Sequence, residues 1–269
     1  MTNIKFGFIG AGNMGSALAS AVSKSVSCDE ILISDKSEVK AKSLSRALNC
    51  NTANNYTIAS YAKYIFLGVK PQMMKDTLSE ISEVLAQRND RFVLVSMAAG
   101  LQISALEQML GAKYPIIRIM PNTPVSVGKG MILYTYNQNV FMDEISEFCD
   151  ALKFAGRLDM IDESLIDAAS AVSGCGPAFV YMFAEAMADA GVECGLPRVK
   201  AEEYAAQTLL GAAELLLTSG KHSGQLKDDV CSPGGSTIAG VHALEDSAFR
   251  AAVMNAIVAS FNKTKDLGK

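Results

Sequence analysis

The chain opens MTNIKFGFIGAGNMG, and no other stretch restricts its folding as much. The apolar run from Ile4 feeds straight into Gly10-Ala11-Gly12-Asn13-Met14-Gly15, and a helical pattern follows. G-x-G-x-x-G between a strand and a helix is the fingerprint of a dinucleotide-binding turn. Gly10 permits the tight turn, Gly12 lets a pyrophosphate meet the backbone, and Gly15 lets the helix pack closely on the strand. The helix N-terminus offers free N–H groups and a positive dipole end to phosphates.

The rest of the N-terminal half fits that opening. The runs IKFGFIG, EILIS, YIFLGV, FVLVSM, PIIRIM, GMILYT and GRLDMI alternate with helical runs, among them Met14–Val26 and Pro71–Ala86. Several strand candidates are continuously apolar, as strands of a parallel sheet covered on both faces are. Residues 1–161 therefore read as an α/β domain with a doubly wound, Rossmann-type sheet. From Glu163 the texture changes. IDAASAV, PAFVYMFAEAMADAGV, RVKAEEYAAQTLLGAAELLLTSG and DSAFRAAVMNAIVASFNKTKDLG are helical in composition and period. Residues 162–269 read as an all-α domain. Phe179, Tyr181, Met182, Phe183 and Met187 put apolar side chains on more than one face of a helix. An isolated small bundle needs one apolar stripe per helix, so a subunit interface is expected.

Composition narrows the class. A chain of 269 residues with 49% hydrophobic content supports one large or two medium domains. A net charge of −4 argues against nucleic acid or an anionic membrane as partner. The 6 cysteines are scattered without a C-x-x-C pair, and only 2 histidines are present, so no zinc or other metal site is expected. That cysteine usage fits a reduced, cytoplasmic protein. The N-terminus lacks the features of a signal peptide, and no apolar stretch is read as approaching membrane-spanning length.

Asp35 lies 20 positions after Gly15, where an acid commonly binds the ribose hydroxyls of NAD. Lys36, Ser34 and Ser37 could instead receive the 2′-phosphate of NADP, so NADH and NADPH both stay open. Loops at Gly68–Pro71, Met97–Gly100 and Met120–Pro124 follow strand ends, where open α/β sheets bind ligands.

The helical half breaks at Ser232-Pro233-Gly234-Gly235-Ser236-Thr237. Proline ends one helix, the glycines free the backbone, and two hydroxyls stand where the next helix starts. The break is either a helix cap made by Ser236 or Thr237, or an anion pocket of consecutive N–H groups with Ser232 beside it. Ser173–Ala178 opens another helix with proline in its first turn and reads as scaffold. His222 and His242 read as capping or solvated.

GFIGAGNMG, LGVKPQ, IMPNTP, SGCGPAFVY and QLKDDVCSPGGSTIAGVHALE together resemble the pyrroline-5-carboxylate reductase family, over nearly the whole chain. The last segment is the most specific. The resemblance implies a nucleotide domain, a C-terminal helical dimerisation domain, and reduction of L-1-pyrroline-5-carboxylate to L-proline by NADPH or NADH. It implies homodimers, which in that family can join into a ring. Residue by residue, it implies cofactor contacts at Ile9, Gly10, Ala11, Gly12, Asn13, Met14, Asp35, Ser37, Asn55, Val69, Lys70, Pro71, Met97, Ala98 and Ala99, with Lys36 alongside. It implies substrate contacts at Ser232, Gly234, Gly235, Ser236 and Thr237, with Glu163 near the substrate and Thr237 as the catalytic hydroxyl. Cys175 and Asp229 depart from the family pattern.

Two other functions compete. A hydroxyacid reductase needs a strong proton donor, typically a lysine in the glycine-rich helix, and PAFVYMFAEAMADAG carries none. A dinucleotide sensor without turnover would not need both ligand loops.

Overall fold

The structure is a computed structural model that describes residues 4–267. Strands β1 (Phe6–Ile9), β2 (Ile31–Ser34), β3 (Asn51–Thr52), β4 (Tyr64–Leu67), β5 (Val93–Ser96), β6 (Ile116–Pro121), β7 (Gly130–Tyr136) and β8 (Gly156–Met160) form one sheet, in the order β3-β2-β1-β4-β5-β6-β7-β8. Each of the seven expected runs holds a strand. β3 was not foreseen: its two residues are exposed and pair with Leu32 and Ile33 at the sheet edge.

Neighbouring strands are parallel except β6 with β7. The link 122–129 holds only a 3-10 turn, Thr123–Val127. A parallel return needs a crossover of a dozen or more residues, so β7 runs back antiparallel.

The apolar runs work because successive side chains enter opposite cores. Phe6, Phe8, Ile31, Ile33, Tyr64 and Phe66 face one cluster, with Leu18 of α1 (Asn13–Val22) and Phe148 of a helix at Met142–Leu152. Ile9, Leu32, Ile65 and Leu67 face the other. That side is closed by α3 (Asn55–Tyr61), α4 (Met74–Gln87) and α5 (Ile103–Leu110), which follow α2 (Glu38–Leu48) in the chain. Numbered on in chain order, the helix at Met142–Leu152 is α6. α1 stops before the expected Val26, and Pro71 opens a 3-10 turn ahead of α4 rather than α4 itself.

Burial at the first core pushes the Cys50 thiol up to about 11, with the Cys28 thiol adding to the shift. Iodoacetamide at pH 8 is expected to leave Cys50 unmodified in the native protein and to label it after denaturation. Peptide mass mapping reads both states.

Arg118 in β6 is fully buried. Its Nη1 donates to Glu163 Oε1 at 3.1 Å, and its Nη2 to Asp167 Oδ1 at 3.2 Å. Glu163 Oε1 also accepts the Ile103 N–H at 2.8 Å. These bonds tie α7 (Ile166–Ser173) to the sheet, where Ile166 packs with Met120 and Leu133. Packing therefore divides the chain after Gly174: one unit is Met1–Gly174 with Phe261–Lys269, the other Cys175–Ser260. The expected boundary at 161/162 marks the end of the strands, just after Met160, and not this division.

The second unit comprises α8 (Gly176–Glu193), α9 (Arg198–Ser219), α10 (Ser223–Val230), α11 (Ser236–Asp246) and the first part of α12 (Phe249–Leu267). Its buried cluster is Ala188, Ala201 and Ala205, while Tyr181, Met182, Leu216, Leu217 and Met254 are exposed. Three alanines remove little apolar surface from water, so these helices depend on a partner surface. The helical run Glu163–Glu193 is long and apolar enough to cross a membrane by length and composition. That corrects the reading that no stretch approaches such length: the run is rich in Ala and aromatic residues, with its few acids spread out.

Candidate active site

The C-terminal ends of β1 and β4 stay hydrogen-bonded, the Gly68 N–H donating to the Ile9 carbonyl at 2.8 Å beside the first strand–helix turn. There a groove of about 1200 Å³ opens in the first unit. Gly10 sits at φ +111°, and a Cβ there would lie 2.5 Å from the Gly68 carbonyl oxygen. A Cβ on Gly15 would lie 2.1 Å from the Gly10 carbonyl oxygen. Both glycines are demanded by backbone passing backbone. Gly12 differs: a Cβ there would meet nothing within 4 Å. The room above it is groove, of the kind a pyrophosphate fills. Gly12 is also the N-cap of α1 and supplies no side-chain bond, so the first N–H groups of the helix stay open. These features fit a dinucleotide.

The groove is lined by Ile9, Gly10, Gly12, Asn13, Met14, Asp35, Lys36, Asn55, Val69, Lys70, Pro71, Met97 and Ala99. Three expected residues sit behind its wall. The Ala11 N–H donates to Asp35 Oδ2 at 2.7 Å, and the Ser37 N–H to Asp35 Oδ1 at 2.8 Å. Ala98 is buried. Lys40, Lys42, Asp76, Thr77 and Glu80 also line the groove, and no local motif marks them. Asn55 links both walls: its Oδ1 accepts the Ser34 hydroxyl, and its Nδ2 donates to Glu80 Oε2 at 2.8 Å. An S-D-x-S sequence is visible in a strand end, but which helix faces look back at it is decided by the tertiary fold.

In the second unit, the expected break forms a tight turn. The Gly235 N–H donates to the Ser232 carbonyl at 3.0 Å, and Gly234 adopts φ +67°. The N-cap of α11 is Gly235, with no side-chain cap bond. Capping by Ser236 or Thr237 is thus not what the structure contains. Ser232, Ser236 and Thr237 are exposed, and their hydroxyls have no hydrogen-bond partner among the described residues. His222 caps α10, accepting the Gly224 N–H at 3.1 Å, and His242 pairs with Asp246. Glu163 is committed to Arg118 and Ile103 within the first unit. No His, Cys, Asp and Glu cluster able to hold a metal occurs among the described residues.

Known proteins match both parts. Residues 5–100 match the family described as NADP oxidoreductase coenzyme F420-dependent, and residues 163–267 match pyrroline-5-carboxylate reductase dimerisation. The pyrroline-5-carboxylate reductase of Escherichia coli (strain K12) is 41% identical, over 98% of both chains. The chain belongs to the pyrroline-5-carboxylate reductase family. Pyrroline-5-carboxylate reductase 3 of Danio rerio is 40% identical over 98% of this chain and 92% of its own. The pyrroline carboxylate reductase of Plasmodium falciparum, solved with NADP bound, superposes with a TM-score of 0.86 at 35% identity, covering 100% of each chain. That of Coxiella burnetii reaches 0.91 at 29% identity, also covering 100% of each. As in other pyrroline-5-carboxylate reductases, the first unit is an NAD(P)-binding Rossmann-type domain and the helical part is a dimerisation domain.

Proposed function

We propose that the chain reduces the cyclic imine L-1-pyrroline-5-carboxylate to L-proline, as a homodimer, in the last step of proline biosynthesis. The nicotinamide cofactor, when bound, supplies the hydride. The Gly10–Gly15 turn and the open N–H groups of α1 hold its pyrophosphate, with Val69–Pro71, Met97 and Ala99 at the groove wall.

The observation that carries the substrate reading is the Ser232–Thr237 turn, whose hydroxyls and first helical N–H groups are left unbonded. A carboxylate is the ligand such a turn suits. The Ser236 and Thr237 N–H groups and the Ser232 hydroxyl hold it. The Thr237 hydroxyl bonds the ring nitrogen and fixes which face of the ring is presented. The imine carbon gains the hydride and the nitrogen keeps a proton taken from solvent, so one C=N bond becomes C–N and the cofactor is left oxidised. A protonated imine already accepts hydride readily, so orientation is most of what the protein contributes.

Steady-state oxidation of NADPH and NADH at 340 nm with pyrroline-5-carboxylate tests the reaction, and absence of turnover with both overturns it. Thr237→Ala is expected to lower kcat/KM about 30-fold, the worth of one hydrogen bond to a charged group, with an unchanged circular dichroism spectrum. Normal kinetics would remove Thr237 from the site.

The reading includes assembly of dimers into a ring and a cytoplasmic location, with no nucleic-acid or membrane partner. The net charge of −4 supports the last point. The apolar face of Glu163–Glu193 is then covered by a second copy rather than by lipid.

A further inference from the structure

We infer that Glu163, held in place by the buried Arg118, is a positioning residue for the nicotinamide half of the cofactor, an inference that rests on the groove being a dinucleotide site. The sheet order supplies the geography. β2, whose end carries Asp35, stands on one side of β1, and β4 and β5 follow on the other. A dinucleotide with its pyrophosphate at the Gly10–Gly15 turn and its adenosine at the β2 end sends its nicotinamide toward the loop after β5. That loop is 97–102, and its Met97 and Ala99 line the groove. Met97 also leans over the end of β4: a Cβ on Gly68 would lie 3.6 Å from its Sδ.

The loop has little of its own to fix it. The Ala98 N–H reaches Ser96 Oγ at 3.4 Å and the Leu101 N–H reaches the Ala98 carbonyl at 3.5 Å, both long for hydrogen bonds. Gln102 is the N-cap of α5 and gives no side-chain cap bond. The acceptor comes from elsewhere in the chain: Glu163 Oε1 takes the Ile103 N–H at 2.8 Å, across 60 residues. Arg118 Nη1 donates to the same oxygen at 3.1 Å. Arg118 is fully buried, and in the register of the sheet it lies beside Ser96, the last residue of β5. The arginine next to the strand end of the loop therefore orients the carboxylate that anchors its helix end. Both ends are referred to one buried guanidinium. Asp167 completes the charge pairing through Nη2, and no hydrogen bond joins it to the loop among the described residues.

The probes are NADPH and adenosine 2′,5′-bisphosphate, its half without nicotinamide, titrated calorimetrically into the full chain. E163A removes the bond to Ile103, while Asp167 keeps a counter-charge on Arg118. It is expected to weaken NADPH binding about tenfold and to change the bisphosphate by less than about twofold. E163Q keeps an acceptor oxygen for the Ile103 N–H and is expected to bring NADPH affinity back to within about threefold of the unaltered chain. D167A controls for stability alone: it should lower the urea midpoint and leave NADPH affinity within about twofold. E163D keeps a charge near Arg118 and shortens its reach to Ile103, and it is read in place of E163A if that variant does not fold. Unchanged NADPH binding in E163A, an equal loss of both ligands, no recovery in E163Q, or a loss in D167A that matches E163A overturns the inference alone. Binding of neither ligand to the unaltered chain overturns it together with the dinucleotide reading.

Discussion

Gly10→Ala is expected to lower the unfolding free energy by about 3 kcal/mol and to weaken dinucleotide binding about a hundredfold or more. The position combines φ +111° with a Cβ that would lie 2.5 Å from the Gly68 carbonyl oxygen and 2.7 Å from its carbon. Those are backbone atoms and cannot rotate away. Either the β1–α1 turn shifts out or the β4 loop does, and both carry the groove wall. The Gly68 N–H donates to Ile9 at 2.8 Å, so moving one loop also strains the ladder between β1 and β4. Urea unfolding gives the stability change, and nucleotide titration of the folded variant gives the affinity. Gly12→Ala is the informative companion. Its Cβ enters open groove, so stability should hold while binding falls. Equal stability losses in the two variants would contradict this division of labour.

The second large effect is in a residue the family resemblance assigns elsewhere. E163Q/D167N leaves the Arg118 guanidinium buried without a counter-charge, and is expected to cost about 3 kcal/mol of stability. Arg118 Nε already lacks a partner, so the site has no reserve acceptor. R118M should cost less than the double variant. It removes the buried charge and leaves Glu163 and Asp167, which are 29% and 26% exposed at their side chains, able to hydrate. Urea midpoints of the three proteins measure the order. If Glu163 instead holds substrate, E163Q raises KM and leaves the urea midpoint where it was. The Ile103 N–H and Arg118 bonds to one carboxylate oxygen argue for the first outcome.

Much of the first unit was legible because its signals are local. A parallel strand covered on both faces needs a continuous apolar run, and YIFL and VLVS are such runs. G-x-G-x-x-G fixes a turn and a helix start within a few residues. What escaped reading depends on partners distant in sequence. β3 is a pair of polar residues that becomes a strand only because β2 lies beside it. The reversal at β7 follows from the length of one link rather than from composition. Lys40 and Lys42 carry no local signal of a site, and the placement of α2 puts them on the groove wall. At Ser236 and Thr237, the residues by themselves favour capping, and only the family resemblance favours ligand binding. The structure removes side-chain capping by putting Gly235 in the cap.

The two margins of the sheet have a consequence for how the protein behaves when concentrated. β3 is a two-residue edge, and β8 at the other side carries exposed Arg157 and Asp159. A short margin and a charged one both discourage another chain from adding a strand. Growth by sheet extension, the route to fibres, is closed at both ends. Self-association is left to the helices, whose contacts can close into a finite symmetric particle.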